Sequence, residues 1–126
     1  MNVLENLKYS RPHEWVEEVD ETTVRVGLTD FAQHELGDLV FVNLPEVGDT
    51  VTVKEAFADV ESVKAVSDVY SPVTGVISAV NEDILDSPEM INEAPYEAWL
   101  IEVKEVSERE ELVDSAAYEK ICEEEG

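Results

Sequence analysis

The sequence contains one cysteine, eight basic residues and no apolar run approaching the length of a bilayer crossing, and each scarcity removes a class of function. A single thiol, Cys122, cannot close an internal disulfide. Its neighbours Glu123, Glu124 and Glu125 disfavour the thiolate, so an incidental residue of a C-terminal helix is expected rather than a reactive one. With no stretch of about twenty apolar residues, no membrane-spanning helix is expected. Eight Lys and Arg against 31 Asp and Glu give a net charge of −23, which excludes electrostatic binding to nucleic acid or to an anionic membrane. The two histidines, His13 and His34, lack clustered ligands at metal-binding spacing, so no metal site is expected. The opening residues, Met1-Asn2-Val3-Leu4-Glu5, have neither the basic-then-apolar pattern of a signal peptide nor an Arg-rich transit pattern. A cytoplasmic protein is the expectation. No nucleophile–base pair, phosphate loop or metal cluster is visible, so the chain is not expected to be an enzyme.

What the chain does have is enough length, at 126 residues, to bury a core of its own as one domain. The 31 acids are scattered rather than gathered in one tail, as a highly solvated surface requires. Short strands are expected through the middle. Residues 23–28 alternate apolar and polar side chains, 39–44 are densely apolar and stop at Pro45, and Val51 and Val53 alternate after the turn pair Gly48-Asp49. Residues 73–80 and 100–106 complete the set, with further turn signals at Ser71-Pro72 and Thr74-Gly75. Spaced strands of this kind predict a mainly β fold, a small barrel or sandwich, with short helices at its periphery. Thr29 or Asp30 can cap one helix that ends at Gly37. Ser107 with Glu110 has capping-box spacing, and Asp114 can cap a last helix through Tyr118 and Ile121. A single domain over 1–126 follows, its β core at about 7–106 and its helical region at about 107–124.

Residues 57–69 are the most informative stretch. Val60, Val63, Val66 and Val69 repeat every three residues, which suits a helix stripe, but valine's branched Cβ disfavours a helix. The segment reads instead as two strands joined by a tight turn at about Val63-Lys64, with Lys64 at the tip. An exposed amine there is open to acylation by another enzyme, although most turn lysines are only solubilising.

The run Glu61-Ser62-Val63-Lys64-Ala65-Val66-Ser67-Asp68-Val69-Tyr70-Ser71-Pro72-Val73-Thr74-Gly75 closely resembles the lipoylation motif of glycine cleavage H proteins. Gly48-Asp49-Thr50-Val51 is similar to the glycine-turn strand of lipoyl and biotinyl domains. Biotin carriers usually flank the lysine with methionines, and oxoacid dehydrogenase lipoyl domains usually place Asp before it; Val63 and Ala65 match neither. The resemblance extends through Leu7-Lys8-Tyr9 and His13-Glu14-Trp15-Val16, through Gly27-Leu28-Thr29-Asp30 and Leu36-Gly37-Asp38, and on to Ile91-Asn92 and Pro95-Tyr96. It covers about residues 7–122. One departure is Ala98 before Trp99, where the family usually has glycine.

The resemblance implies a barrel-sandwich hybrid, the flattened lipoyl-domain type of β barrel, with lipoate attached at Lys64. It implies an arm that shuttles the aminomethyl group of glycine from a pyridoxal-phosphate glycine decarboxylase (P protein) to a tetrahydrofolate-dependent aminomethyltransferase (T protein). Dihydrolipoyl dehydrogenase (L protein) then reoxidises the arm, and a lipoate-attaching enzyme supplies it. Glu14 matches the family's glutamate near the cleft that shelters the arm, and Asp68, four residues after the lysine, is a second candidate for contacting the aminomethyl cation. Glu61 is expected either to help a lipoylating enzyme recognise the hairpin or to serve as a cross-strand partner. Trp15 and Trp99 are expected as packing residues. A monomer is expected. Two rival readings stand beside this one, a relay that donates lipoyl groups to other carriers and an unmodified structural domain.

Overall fold

The computed structural model describes residues 3–125. Nine strands and four short helices follow in the order β1 (Lys8–Tyr9), β2 (Glu14–Glu18), β3 (Val24–Leu28), α1 (Asp30–Leu36), β4 (Leu39–Asn43), β5 (Thr50–Val51), β6 (Ala56–Ser62), β7 (Val66–Tyr70), β8 (Val73–Val80), α2 (Asp83–Asp86), α3 (Met90–Glu93), β9 (Ile101–Arg109) and α4 (Ser115–Glu125). A six-stranded sheet has the order β1-β2-β3-β9-β8-β5, and a three-stranded sheet has the order β4-β6-β7. The paired strands are antiparallel throughout. The sheets do not close into a barrel. The mainly β, sandwich-like architecture with peripheral helices is the one the sequence predicts.

Alternation explains the layers. In β3, Val24, Val26 and Leu28 are buried while Arg25 reaches outward, its Nε 3.3 Å from Glu102 Oε1 and its guanidinium over the Trp99 ring. The inner face of the small sheet supplies Val42, Val60 and Val69, which join Val26, Ile77, Leu100, Ile101 and Val103 in one core. A second cluster, Leu7, Tyr9, Trp15, Phe31, Tyr118 and Cys122, lies where the N-terminal strands meet α4. Trp15 packs across the ladder from Gly27, where any side-chain carbon would fall 2.5 Å from the indole. Its Nε1–H donates to the Pro95 carbonyl at 3.0 Å, so a buried polar atom of a packing residue is satisfied.

Two local readings are corrected. The Ser107/Glu110 capping box starts no helix, because β9 runs on through Arg109, paired with Val73 and Thr74 of β8. The helical region therefore begins at Ser115 rather than near 107, and Asp114 Oδ1 accepts from Ala117 N–H at 2.9 Å as its cap. A long antiparallel ladder outweighs one local capping signal. Thr74-Gly75 is likewise no turn; it lies within β8, where the register to β9 shifts between Thr74 and Val76. The first helix is capped as its sequence suggests, with Thr29 Oγ1 accepting from Ala32 N–H and Gly37 at its C-terminal end. No helix among the described residues is long and apolar enough to cross a membrane.

Candidate functional site: an exposed lysine beside a cleft

Lys64 sits on the turn between β6 and β7. Ser62 N–H donates to the Ala65 carbonyl at 2.8 Å, closing the turn. The Ser62 hydroxyl oxygen accepts from the amides of Lys64 and Ala65 at 3.3 and 3.0 Å. The tip is tied to the body through Val63 N–H, which donates to the Asp38 carbonyl at 3.1 Å. Asn92, on α3, organises that anchoring loop: its Oδ1 accepts from Leu39 N–H at 2.9 Å, and its Nδ2 donates to the Gly37 carbonyl at 2.9 Å. Backbone and small polar groups thus hold the tip, leaving the lysine side chain exposed. Among the described residues its Nζ makes no ion pair.

The Lys64 stem leans toward the end of α1. Gly37 has φ +84, and a Cβ there would lie 3.3 Å from Lys64 Cε. Glycine at this position meets the left-handed helix-end geometry and leaves room for the stem. Just beyond lies a cavity of about 170 Å³ between the two sheets and α1. Leu28, Ala32, Leu36, Val60 and Val69 give it apolar walls, Glu14 and His13 supply polar groups, and Asp68 borders its rim. A dry cavity of about 150 Å³ accommodates a benzene-sized guest, so this one suits a small ring at the end of a flexible tether.

Glu14 is the unusual member. It is 2% exposed, held in a turn where Ser10 Oγ donates to Glu14 Oε1 at 2.8 Å and accepts from Glu14 N–H at 3.0 Å. Burial pushes its carboxyl up to about 7, opposed by the Ser10 hydroxyl and the Tyr70 amide and reinforced by Glu110. Glu110 is itself raised by burial, and its Oε1 is a buried oxygen with no hydrogen-bond partner among the described residues. The preceding residue, His13, has φ +74, rare for a non-glycine side chain.

The structure therefore brings Lys64 and Glu14 to one region, with Glu14 buried; Asp68 borders the cleft along β7, but its pairing with Asp59 puts it on the exposed outer face of the small sheet. Glu61 is exposed on the same face, between Phe41 and Val66, and does not border the cleft. Sequence reasoning missed Ser10, His13 and Asn92 as site residues. The quoted Ile91-Asn92 pair marked Asn92, but nothing local signalled its partners. His13 and His34 enter no metal cluster among the described residues. Cys122 is buried, and burial is the largest cause of its raised thiol pKa, ahead of its acidic neighbours.

Known proteins show which family the chain resembles. The family described as Glycine cleavage H-protein matches residues 7–125. A glycine cleavage system H protein of Lachnoclostridium phytofermentans is 58% identical over 125 residues, covering 99% of this chain and 98% of that one. A probable glycine cleavage system H protein of Pyrococcus furiosus is 52% identical over 119 residues, covering 92% and 89%. The crystal structure of a glycine cleavage system H protein from Mycobacterium marinum superposes with a TM-score of 0.87 at 40% identity, covering 94% of this chain and 97% of that one. With its sequence matched almost end to end and its two-sheet fold shared, this chain belongs to the glycine cleavage H-protein family.

Proposed function

We propose that the chain is the lipoyl-lysine carrier of a glycine cleavage system, a non-enzymatic component with lipoate amide-linked to Lys64 Nζ. It carries the aminomethyl group of glycine from P protein to T protein and is reoxidised by L protein. The observation that carries this reading is the placement of an exposed lysine, without an ion pair among the described residues, beside a small apolar cleft lined by a buried carboxyl. When attached, lipoate supplies reversible dithiol chemistry. Lys64 is the root of the tether, which raises the local concentration of its cargo at each partner without tight docking. The apolar walls exclude water from a cargo prone to loss of ammonia. Glu14, and Asp68 at the open edge, receive the cationic amine in charge-assisted hydrogen bonds. A carboxyl that titrates near neutrality gives up its proton when a cation settles beside it.

Partner recognition has support at the tip. Val63 and Val66 are 71% and 64% exposed next to Lys64, an apolar rim on a chain of charge −23. Glu61, exposed between Phe41 and Val66, marks this face for the lipoate-attaching enzyme.

Co-expression with a lipoate ligase and lipoate, followed by intact mass and peptide mapping, tests the reading. A lipoyl adduct confined to Lys64, and lost in Lys64→Arg, is expected. An unmodified Lys64 beside a ligase active on a control carrier would overturn it.

A further inference from the structure

The C-terminal helix touches the cleft walls without lining the cleft. No residue of α4 borders the cavity. Yet the Tyr118 hydroxyl is 2.7 Å from His13 Nδ1 and 2.6 Å from Thr29 Oγ1. These partners lie side by side just beyond the Glu14–Leu28 pair that ends the β2–β3 ladder. His13 leads into Glu14, while Thr29 caps α1 by accepting from Ala32 N–H at 3.2 Å, and Ala32 is itself a wall residue. The Thr29 amide adds a third tie, donating to the His13 carbonyl at 3.1 Å.

One wiring satisfies the Ala32, Thr29, Tyr118, His13 and Glu125 groups in turn, with the Cys122 thiol a further neighbour of the Tyr118 hydroxyl. Ala32 N–H donates to Thr29 Oγ1, the Thr29 hydroxyl donates to Tyr118, Tyr118 donates to His13 Nδ1, and His13 Nε2–H donates to Glu125 Oε1 at 3.0 Å. Each member of such a chain polarises the next. Stacking fixes the rings as well, Tyr118 on Tyr9 and His13 on Phe31, both with centroids 4.5 Å apart. His13 keeps φ +74 inside this frame. A backbone conformation of that kind persists only where its surroundings over-determine it, and it sets the direction in which Glu14 leaves the turn.

We propose that Tyr118 is a positioning residue: its hydroxyl locks the His13 turn against the head of α1 and so keeps Glu14 enclosed at the floor of the cleft. A helix that only covered the second hydrophobic cluster would need the Tyr118 ring and not its hydroxyl. The proposal rests on the carrier reading for its functional meaning, since the cleft is where the loaded arm shelters.

Tyr118→Phe keeps the ring stack and removes the lock. The readout is the titration midpoint of the Glu14 carboxyl, followed by carbon NMR in the unlipoylated chain. The titratable groups around Glu14 are His13 beside it, Asp68 and Glu35 bordering the same cleft, and Glu110, which is in turn influenced by Lys54. All remain in the variant, so a changed midpoint reports a changed environment at the floor. The midpoint is expected to fall from its raised value by about one pH unit, roughly a tenfold change in proton affinity. Thr29→Ser retains the hydroxyl and should leave it in place. An unmoved midpoint in folded Tyr118→Phe overturns the proposal. If that variant does not fold, Glu125→Ala, at a half-exposed position, carries the test by removing the acceptor of His13 Nε2–H; a smaller fall is expected, and none overturns the proposal.

Ammonia release from loaded, lipoylated protein separates the two readings. Equal rates in the parent and Glu14→Gln would defeat the sheltering role of the cleft, whatever Tyr118 does to the midpoint. Faster release from Glu14→Gln with an unmoved midpoint in Tyr118→Phe would defeat the positioning role alone.

Discussion

The hairpin tip and the cleft floor lie within one functional region and follow opposite physical rules. At the tip, Lys64 is exposed in a turn held by main-chain bonds and one serine hydroxyl. At the floor, Glu14 is sealed from water behind a residue in a rarely used backbone conformation. A group that another enzyme must reach needs access and a rigid base. A group that must shelter a cation needs desolvation, which works against its own ionised form and against the stability of the fold. Accessibility costs the fold little here, whereas shelter works against its stability.

The largest expected effect breaks this contrast at the floor. Glu14 has its carboxyl raised from 4.5 to about 7 by burial. The folded chain therefore holds that proton more tightly than the unfolded chain. This contribution to stability is fully present below the unfolded value and is lost as pH rises through the folded one. The interval corresponds to about 3 kcal/mol. Glu14→Gln has no such titration. Its stability relative to the parent should climb by about 3 kcal/mol between pH 4.5 and about 8. Urea unfolding of both proteins across that range gives the difference directly, since the other carboxyls are common to both. A flat difference would mean that Glu14 is hydrated and the floor behaves like the tip.

These two regions also differ in how far the sequence discloses them. The tip is local: branched valines argued against a helix, the turn fell where expected, and the lysine motif lies within fifteen consecutive residues. Glu14 was reached only through the family resemblance, because nothing in His13-Glu14-Trp15 says that this acid is buried and the next ones are not. The lock around it joins His13 to Tyr118 across 105 positions. The pattern Tyr118, Ile121, Cys122 marks a buried helix face, but a hydroxyl's partner cannot be read from periodicity. The Ser107/Glu110 spacing failed for the same reason in reverse, a local signal overruled by pairing with β8, far away in the sequence.

The tip can be probed from its base outward. Asn92→Ala removes the acceptor for Leu39 N–H and a donor to Gly37 O, leaving main-chain groups short of partners in a partly buried loop. A loss of about 2 kcal/mol is expected in chemical denaturation, with slower modification of Lys64 because the loop that holds Val63 loosens. Ser62→Ala deletes the hydroxyl that accepts two turn amides. Ser62 is buried but Lys64 and Ala65 are exposed, so water can reach the freed amides from the solvent side and a loss of about 1 kcal/mol is expected. If Ser62→Ala cost more than Asn92→Ala, the rigidity of the tip would reside in the turn itself and not in its anchor.

Asp68→Asn carries the smallest expected stability change and makes the sharpest division between the regions. Asp68 is exposed on β7 and faces Asp59 across the ladder, yet it borders the same cleft as Glu14. As a surface position away from any strained or buried feature, it should alter folding stability by no more than about 0.5 kcal/mol, with a slight gain because a like-charge cross-strand pair is relieved. Its effect on ammonia release should be an acceleration weaker than that of Glu14→Gln, since water screens a carboxylate at the rim far more than one on the floor. Rates measured in low and high salt then discriminate. The Asp68 contribution should shrink as salt screens an exposed charge, while the Glu14 contribution should persist because a buried pair is screened much less. Equal salt sensitivity at both positions would mean that the cation rests at the rim and that the enclosed floor is not where the cargo is held.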